Sequence, residues 1–379
     1  MDILEKRRSG RRGRRPRHAG ARMLPWRMIF HQPEQSRDGS ATFWRRMCSS
    51  ICEIGRHAGL TFGRASVIGS CMRANRIVSL LPGGTEIVCA LGCAERLKGR
   101  SHQCDFPPEI RALPVCTSPR PPGIVDSTEI EGTVKSAPPR ALSVFEIDLE
   151  KLRQLRPDII LTQARCDVCA VNLADLEGAP ARGVAPGLRP KIISLSPARL
   201  PDLWQDIQTV AAALGAEKQA RVLLASLKER VVDVMQRTCL LKRRPAVACL
   251  DWLDPLTACG HWIPEMVDFA GGRNLFGQAG QPSTSLEWET LRQGDPDLIV
   301  LMPCGLNLEQ TRRQAAALAA KPEWKTVRAV RTGQVFLVDG NSYFNRPGPR
   351  LVDSLEILTQ IIQPVLFPAP GGGKGWEKL

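Results

Sequence analysis

The chain has 379 residues, of which 43% are hydrophobic, so it can bury one large core or two ordinary ones. Its formal net charge of +14 is unevenly distributed: residues 1–75 hold 16 Lys/Arg against 5 Asp/Glu, whereas residues 76–379 hold 36 against 33. The near-neutral globular part argues against a chain-wide nucleic-acid surface, and no apolar run is long enough to span a membrane.

Residues 1–75 are predicted to be a basic, disordered extension, because Glu5–Arg22 is rich in Arg and has no apolar periodicity. Two interpretations stay open. The segment is an arm that binds nucleic acid through its Arg residues, or, the favoured alternative, a non-native extension upstream of a true start at Met72. Export signals are weak, since Arg64 interrupts the apolar run Gly59–Cys71.

Residues 76–200 are predicted to form an α/β lobe. It begins with a glycine-rich turn that leads into a helix, for which Thr85 is the expected N-cap and Gly92 the expected stop. Runs of apolar and β-branched residues predict the strands. These strands are Arg76–Pro82, Leu113–Thr117, Ile159–Gln163 and Ile192–Leu195.

Residues 201–240 are predicted to be connecting helices. Apolar residues recur at steps of three and four over Ala216–Thr238, which predicts a helix of about 34 Å, long enough to reach from one lobe to another. A second α/β lobe is predicted over 241–364, and a flexible tail over 365–379. The other predicted elements are a helix over Leu203–Leu214, strands over Ala246–Trp252, Leu298–Met302 and Val335–Asp339, and a closing helix over Arg350–Ile362.

A short segment recurs 139 positions later in the chain. Glu150–Leu161 and Glu289–Val300 share Glu, Leu, Arg, Gln, Pro, Asp and Ile at matching places. Each copy predicts a short amphipathic helix, a Pro-Asp break and an apolar strand, which is half of a parallel-sheet unit. The chain is therefore predicted to contain two related lobes, and such lobes usually bind ligands in the groove between them.

Motifs of the common enzyme sites are absent from the sequence. It contains no Gly-x-Gly-x-x-Gly, no phosphate loop ending in Gly-Lys-Ser/Thr, no Gly-x-Ser-x-Gly and no His-Glu-x-x-His. The turn at Gly83–Thr85 could bind an anion at a helix start, but a tight turn explains it equally well. We therefore expect a protein that is not an enzyme.

Five segments occur in one order around the long helix: Arg76–Gly92, Gly99–Ile110, the first copy of the repeat, Pro264–Phe276 and Asn341–Leu358. Together they resemble the class III periplasmic binding proteins of ABC importers, and most of all the cobalamin-binding type. The same group includes ferric-siderophore and haem binders. The resemblance covers about residues 76–364.

This resemblance implies two Rossmann-like α/β lobes with parallel sheets, joined by one long backbone helix, with the ligand in a cleft between them. In that family one Glu per lobe forms salt bridges with Arg residues of a dimeric ABC permease. The repeat places Glu150 and Glu289 at equivalent positions, which makes them the docking candidates. Alternatively, each Glu merely stabilises the positive end of a helix. The implied location is periplasmic or at the cell surface; the weak export signal leaves a cytoplasmic location open.

Aromatic walls would suit the broad, flat ring of a corrinoid, with polar groups reaching its amide arms. Gln103 and Gln163 stand where the best-known cobalamin binders carry a Tyr and a Trp. Each Trp could instead be ordinary core. The candidate ligand contacts, at the predicted carboxyl ends of strands, are Gln103, Phe106, Gln163, Trp252, Trp262, Tyr343, Phe344 and Arg346.

Cysteine and histidine residues from four predicted loops could converge on the same cleft. They would suit a soft metal, the cobalt of a corrinoid or an iron–sulfur cluster, although structural cysteines are the favoured interpretation. Two functions therefore stay open: a binding protein that captures cobalamin or a related metal chelate without a required cofactor, and a cytoplasmic metal- or cluster-binding protein on the same fold. The candidate metal ligands are Cys104, Cys166, Cys169, Cys304, His102 and His261.

Overall fold

The computed structural model describes residues 76–119, 145–163, 190–369 and 373–379. The strands of the N-terminal lobe are β1 (Ile77–Ser79), β2 (Leu97–Arg100), β3 (Thr117–Pro119), β4 (Phe145–Ile147), β5 (Ile159–Thr162) and β6 (Lys191–Ser194). Four of them form a parallel sheet in the order β2-β1-β5-β6, whereas β3 and β4 form a separate antiparallel pair. The parallel sheet agrees with the predicted α/β fold class.

Helix α1 (Pro82–Ala90) begins three residues before the predicted start. Its N-cap is Leu81, and Thr85 is fully buried inside the helix, where its hydroxyl donates to the Sγ of Cys104 at 3.0 Å. Proline fits the first turn because the N–H that it lacks would have no partner in the helix. The predicted stop is correct, since Gly92 follows the helix at φ +72°.

The connecting helices agree closely with the prediction. After helix α2 (Leu149–Leu155), which lies between β4 and β5, the chain forms α3 (Leu200–Leu214) and α4 (Glu217–Thr238). Gly215 separates α3 from α4 in the left-handed conformation, at φ +66°. The 22 residues of α4 span about 33 Å.

The strands of the C-terminal lobe are β7 (Ala246–Leu253), β8 (Leu256–Ala258), β9 (Arg273–Asn274), β10 (Thr284–Ser285), β11 (Leu298–Leu301), β12 (Val335–Val338) and β13 (Trp376–Lys378). The sheet has the order β10-β8-β7-β11-β12-β13, and β9 also pairs with β7. Its centre is parallel, as predicted, but β8, β10 and β13 pair antiparallel and make the sheet mixed.

The last residues of the chain correct the prediction of a flexible tail over 365–379. Strand β13 pairs with β12, Trp376 donates from Nε1 to Gln360 at 3.0 Å, and its ring packs edge-on against Phe336. The helices of this lobe are α5 (Ile263–Phe269), α6 (Trp288–Gln293), α7 (Leu308–Ala319), α8 (Pro322–Thr326), α9 (Arg328–Arg331) and α10 (Leu351–Ile362).

The two copies of the repeated segment have the same local structure. After α2 and α6 the chain turns through one left-handed residue, Arg156 in the first copy and Asp295 in the second, both at φ 43°. Two residues later, Asp158 accepts a hydrogen bond from the backbone N–H of Arg76, and Asp297 accepts one from Ala246, both at 2.7 Å. Each Asp therefore ties the repeated strand to the first strand of its own lobe, so the lobes are related in structure as well as in sequence.

The connecting helix packs along both lobes and is more than a strut that holds them apart. One continuous core contains residues of α1 and β1 from the first lobe, of α3 and α4, and of α5 and α10 from the second. Arg230 of α4 also donates to Asp353 and Glu356 of α10, at 2.5 to 2.8 Å. Among the described residues, no helix has the length and apolarity required to cross a membrane.

Candidate functional site

The loops at the carboxyl ends of the strands meet where the two lobes join. Arg350, at the start of α10, donates through Nε and Nη2 to both carboxylate oxygens of Glu86 in α1, at 3.0 and 2.6 Å. Arg346 donates to Asp105, in the loop after β2, and lies 3.9 Å from Glu86. Glu86, Asp105, Arg346 and Arg350, hereafter the interlobe clamp, connect residues more than 240 positions apart in the chain.

Two members of the clamp are buried, so the charge of each depends on its partners. Glu86 and Arg346 are each 4% exposed. Burial raises the pKa of Glu86, and the hydrogen bonds and charge of Arg350, together with the charge of Arg346, oppose that increase. Losing one partner of such a pair leaves a buried charge without compensation.

Glycine allows the two lobes to approach this closely beside the clamp. A Cβ atom placed on Gly83 would lie 2.2 Å from the carbonyl oxygen of Pro347, far inside van der Waals contact. Since the obstructing atom belongs to the backbone, it cannot move away by a change of rotamer. Gly83, which lies in the first turn of α1, therefore serves lobe packing.

Phe106 presents an aromatic surface directly above the clamp. The side chain is 41% exposed, and the guanidinium carbon of Arg350 lies 3.9 Å from the ring centroid. The same guanidinium lies 5.6 Å from the ring of Tyr343, which is only 7% exposed. Arg350 therefore contacts two aromatic rings, the exposed ring of Phe106 and the buried ring of Tyr343.

The predicted ligand contacts divide into accessible and covered groups. Trp262 donates from Nε1 to the carbonyl oxygen of Phe344 at 3.0 Å, and Phe344 is fully buried. These two residues, with Tyr343 and Arg346, form the floor of the lobe junction and expose little surface to a ligand. The accessible or half-buried candidates are Gln103, Phe106, Gln163 and Trp252.

The predicted metal ligands are dispersed among the described residues. Cys104 is buried beneath α1, and burial raises the pKa of its thiol to about 11. His102 forms a 2.7 Å contact from Nδ1 to the hydroxyl of Thr117, and burial lowers its pKa. His261 has φ +52°, and its ring is tilted by 30° against that of Trp262, with ring centroids 5.7 Å apart. Cys304 is half-buried.

No group of three or more His, Cys, Asp or Glu side chains suited to a metal occurs in the described part of the chain. Cys166 and Cys169 lie outside that part. The metal cluster as a whole stays a prediction. The cysteines that are described are free thiols.

A buried carboxylate lies at the end of β7. Asp251 accepts a hydrogen bond from the hydroxyl of Ser283, and burial raises the pKa of Asp251 to about 6. Ser283 also lines a cavity of about 690 Å³ formed by the segment 275–286. That segment is fixed to the loop before α5, because the backbone N–H of His261 donates to Gln281 at 2.6 Å. No motif or pattern in the sequence predicts this cavity.

The docking candidates lie on exposed helices of opposite lobes. Glu150 is in the first turn of α2 and Glu289 in the first turn of α6. Each accepts two hydrogen bonds from an Arg three residues later and one from the next Gln. These hydrogen bonds lower the pKa of both carboxyl groups to about 2, so both are ionised at neutral pH. The helix-start interpretation stays compatible with the same positions.

Comparison with known proteins agrees with this architecture. Residues 77–341 match the family described as Periplasmic binding protein. The chain is 22% identical over 300 residues to the "Uncharacterized ABC transporter substrate-binding lipoprotein YvrC" of Bacillus subtilis, covering 77% of this chain and 81% of the relative. It is also 22% identical over 292 residues to the "Vitamin B12-binding protein" of Photorhabdus laumondii, covering 75% and 86%.

Among solved structures, a periplasmic heme binding protein from Pseudomonas aeruginosa superposes with a TM-score of 0.58 at 21% identity, over 76% of this chain and 93% of that one. The chain belongs to the periplasmic binding protein family. Within it, the two lobes joined by one long helix place the chain in class III, as a substrate-binding protein of the ABC-importer type. It is a transport component and not an enzyme.

Proposed function

We propose that the protein captures a corrinoid of the cobalamin type and delivers it to a dimeric ABC permease. The observation that most supports a corrinoid ligand is that the arginines described at the lobe junction are already paired with carboxylates. Arg346 and Arg350 are both committed to carboxylates of the clamp. The described junction therefore favours a ligand whose periphery is made of uncharged amides, as in cobalamin, over one that carries free carboxylates.

Haem is the alternative that the structural relatives raise, and the described residues fit it less well. Haem carries two propionates, which require cations, and its iron takes an axial His, Cys, Met or Tyr ligand. Tyr343, the single Tyr of the chain, is 7% exposed, His102 contacts the hydroxyl of Thr117, and Cys104 is buried and accepts a hydrogen bond from Thr85. Phe106, in contrast, offers an accessible ring on which a flat macrocycle can stack.

Titration of the purified full-length chain with cyanocobalamin and, separately, with hemin tests the ligand class. We expect micromolar or tighter binding of cyanocobalamin by isothermal calorimetry, and binding of hemin at least about tenfold weaker. Tighter binding of hemin would contradict the corrinoid assignment. A brown protein that contains iron and sulfide and ignores cobalamin would favour the cluster hypothesis.

Phe106 supplies the matched variant for the same titration. Phe106→Ala is expected to weaken cobalamin binding by about tenfold, because a stacked aromatic ring contributes on the order of 1 kcal/mol beyond its buried area. The control is Val365→Ala, which truncates a side chain that is 92% exposed after α10. Equal affinities of the two variants would remove Phe106 from the ligand site.

Docking is tested by reversing charge at Glu150 and Glu289 together. We expect Glu150→Arg with Glu289→Arg to abolish uptake of labelled cobalamin by cells, while affinity for cobalamin stays unchanged, because both carboxylates are exposed and bond only within their own helices. Normal uptake by the double variant would refute the docking assignment.

A further inference from the structure

Helices α2 and α6 present the same three side chains in the same arrangement. In α2, Arg153 donates to Glu150 at 2.8 and 2.6 Å, and Gln154 donates to the same carboxylate at 3.1 Å. In α6 the corresponding distances, from Arg292 and Gln293 to Glu289, are 2.8, 2.5 and 2.7 Å. Each set of Glu, Arg and Gln is hereafter called a triad.

Fold stability does not explain why both lobes carry the triad. The paired side chains are 52% and 56% exposed in α2 and 52% and 57% exposed in α6. Exposed ion pairs at this spacing contribute little to fold stability. Neighbouring positions have diverged, Lys151 and Leu155 in one copy being Thr290 and Gly294 in the other. The shared surface chemistry points to a contact made once by each lobe.

The charge of the triad restricts the kind of partner. Each triad contains one carboxylate and one guanidinium and is therefore neutral, so it offers little long-range attraction to a purely basic surface. The Glu is occupied by its own Arg through Nε and Nη2. The structure gives Nη1 of Arg153 and of Arg292 no hydrogen bond to any described residue, so each guanidinium can still donate to an acidic group.

We propose that Arg153 and Arg292 are direct docking contacts, each binding an acidic side chain of a partner whose neighbouring basic side chain binds the adjacent Glu. The partner presents this acidic–basic pair twice, once to each lobe, as a two-fold symmetric dimer does. A planar guanidinium can bind a second carboxylate while it keeps the first, which a Lys could not do with the same geometry. This inference rests on the proposed delivery to a dimeric permease.

The deciding variant removes the two guanidinium groups and leaves both Glu residues. If docking used the Glu residues alone, Arg153→Gln with Arg292→Gln would free them and leave binding equal or tighter. If the Arg residues are contacts, binding weakens, by about tenfold for each lobe. The measurement is the affinity of the full chain for its cognate permease–ATPase complex in lipid nanodiscs, read by biolayer interferometry and paired with cobalamin uptake by cells.

Two controls separate contact from positioning. Gln154→Ala with Gln293→Ala removes the other side chain that orients each Glu, and we expect less than a threefold change. Arg313→Gln removes an exposed guanidinium paired with Glu309 on α7, and we expect no change. A loss with the Gln variant as large as with the Arg variant would assign the Arg residues to positioning and overturn the proposal.

A swap variant tests geometry against net charge. Exchanging Glu and Arg within both triads (E150R, R153E, E289R, R292E) keeps each triad neutral and keeps its internal ion pair. We expect docking to fall at least as far as in the Arg-to-Gln variant; unchanged docking would overturn the proposal. Because cobalamin affinity is measured on the same proteins, failure of this inference is distinguishable from failure of the proposed function.

Discussion

Replacing Arg350 with Ala is expected to lower the free energy of unfolding by about 3 kcal/mol. The substitution leaves the carboxylate of Glu86, which is 4% exposed, without its bidentate partner. The figure is at the low end for a broken buried pair, because Arg346 stays 3.9 Å from Glu86 and compensates part of its charge. Urea denaturation followed by circular dichroism measures the change. The dependence of the free energy of unfolding on urea concentration is compared between the wild type and the variant.

Arg312 provides the matched control for Arg350. It too forms a bidentate pair, with Glu377 at 2.7 and 2.7 Å, but its side chain is 52% exposed. Arg312→Ala is therefore expected to lower the free energy of unfolding much less than Arg350→Ala does. Glu86→Ala combined with Arg350→Ala should be less destabilising than Arg350→Ala alone, since no buried charge then lacks its partner. Equal losses for all three variants would show that desolvation does not govern the clamp.

The clamp also shows which part of the fold a single sequence cannot supply. Helix α4 was predictable because its apolar residues repeat at helical spacing from Ala220 to Met235. Nothing local marks Glu86 and Arg350 as partners, since they are 264 positions apart and meet only because the lobes take one relative orientation. Gly83 was noticeable in the sequence, but its role was ambiguous. Glycine is expected both in a tight turn and where two lobes approach closely, and only the structure shows that the second reason applies.

Two other differences, at the start of α1 and at the end of the chain, have separate causes. Thr85 is a favourable N-cap by type, but Pro82 is a better first-turn residue, so the helix begins earlier and Thr85 becomes part of its interior. The glycines before Trp376 predict a flexible tail, yet the strand after them pairs with β12, a non-local contact that composition does not reveal. The duplicated segment was the strongest predictor, since local and long-range features agree in both copies.

The accessible part of the candidate site was predictable by residue type and not by environment. Phe106 and Trp262 are both aromatic residues in predicted loops, but only Phe106 is open to solvent, because Trp262 donates to the backbone at Phe344 and closes the floor of the junction. Sequence identifies which groups could bind a macrocycle. Burial decides which of these groups a ligand can reach. Burial in turn depends on how the second lobe covers the first, which the sequence alone does not show.

A second large effect is expected from pH, through Glu265. This carboxylate in α5 accepts a hydrogen bond from the backbone N–H of Leu200 at 2.6 Å, and so fixes the start of the connecting helix α3 to the C-terminal lobe. Burial raises its pKa from 4.5 to about 7, against the opposing hydrogen bond from Leu200 and the charge of Arg199. The folded state thus binds a proton at pH values where the unfolded chain has released it.

The sign of the effect follows from that difference. Between about pH 4.5 and 7 the folded state holds more protons than the unfolded state, so the free energy of unfolding falls as pH rises and levels off above about pH 7. Asp206, whose pKa burial raises to about 7, and Asp268, raised to about 6, act in the same direction. The protein should therefore be more stable at pH 5 than at pH 8.

Glu265→Gln isolates the contribution of this one carboxyl group to the pH dependence of the free energy of unfolding. The amide keeps an oxygen that can accept from Leu200, but it does not ionise. The free energy of unfolding of the variant should therefore fall by about 2 to 3 kcal/mol less than that of the wild type between pH 5 and pH 8. Urea denaturation at both pH values measures the difference, and Glu287→Gln, at the exposed start of α6, serves as the control. Parallel stability curves for wild type and Glu265→Gln would show that this carboxyl group ionises as it does in water, and that the joint between α3 and α5 is not sensitive to protons.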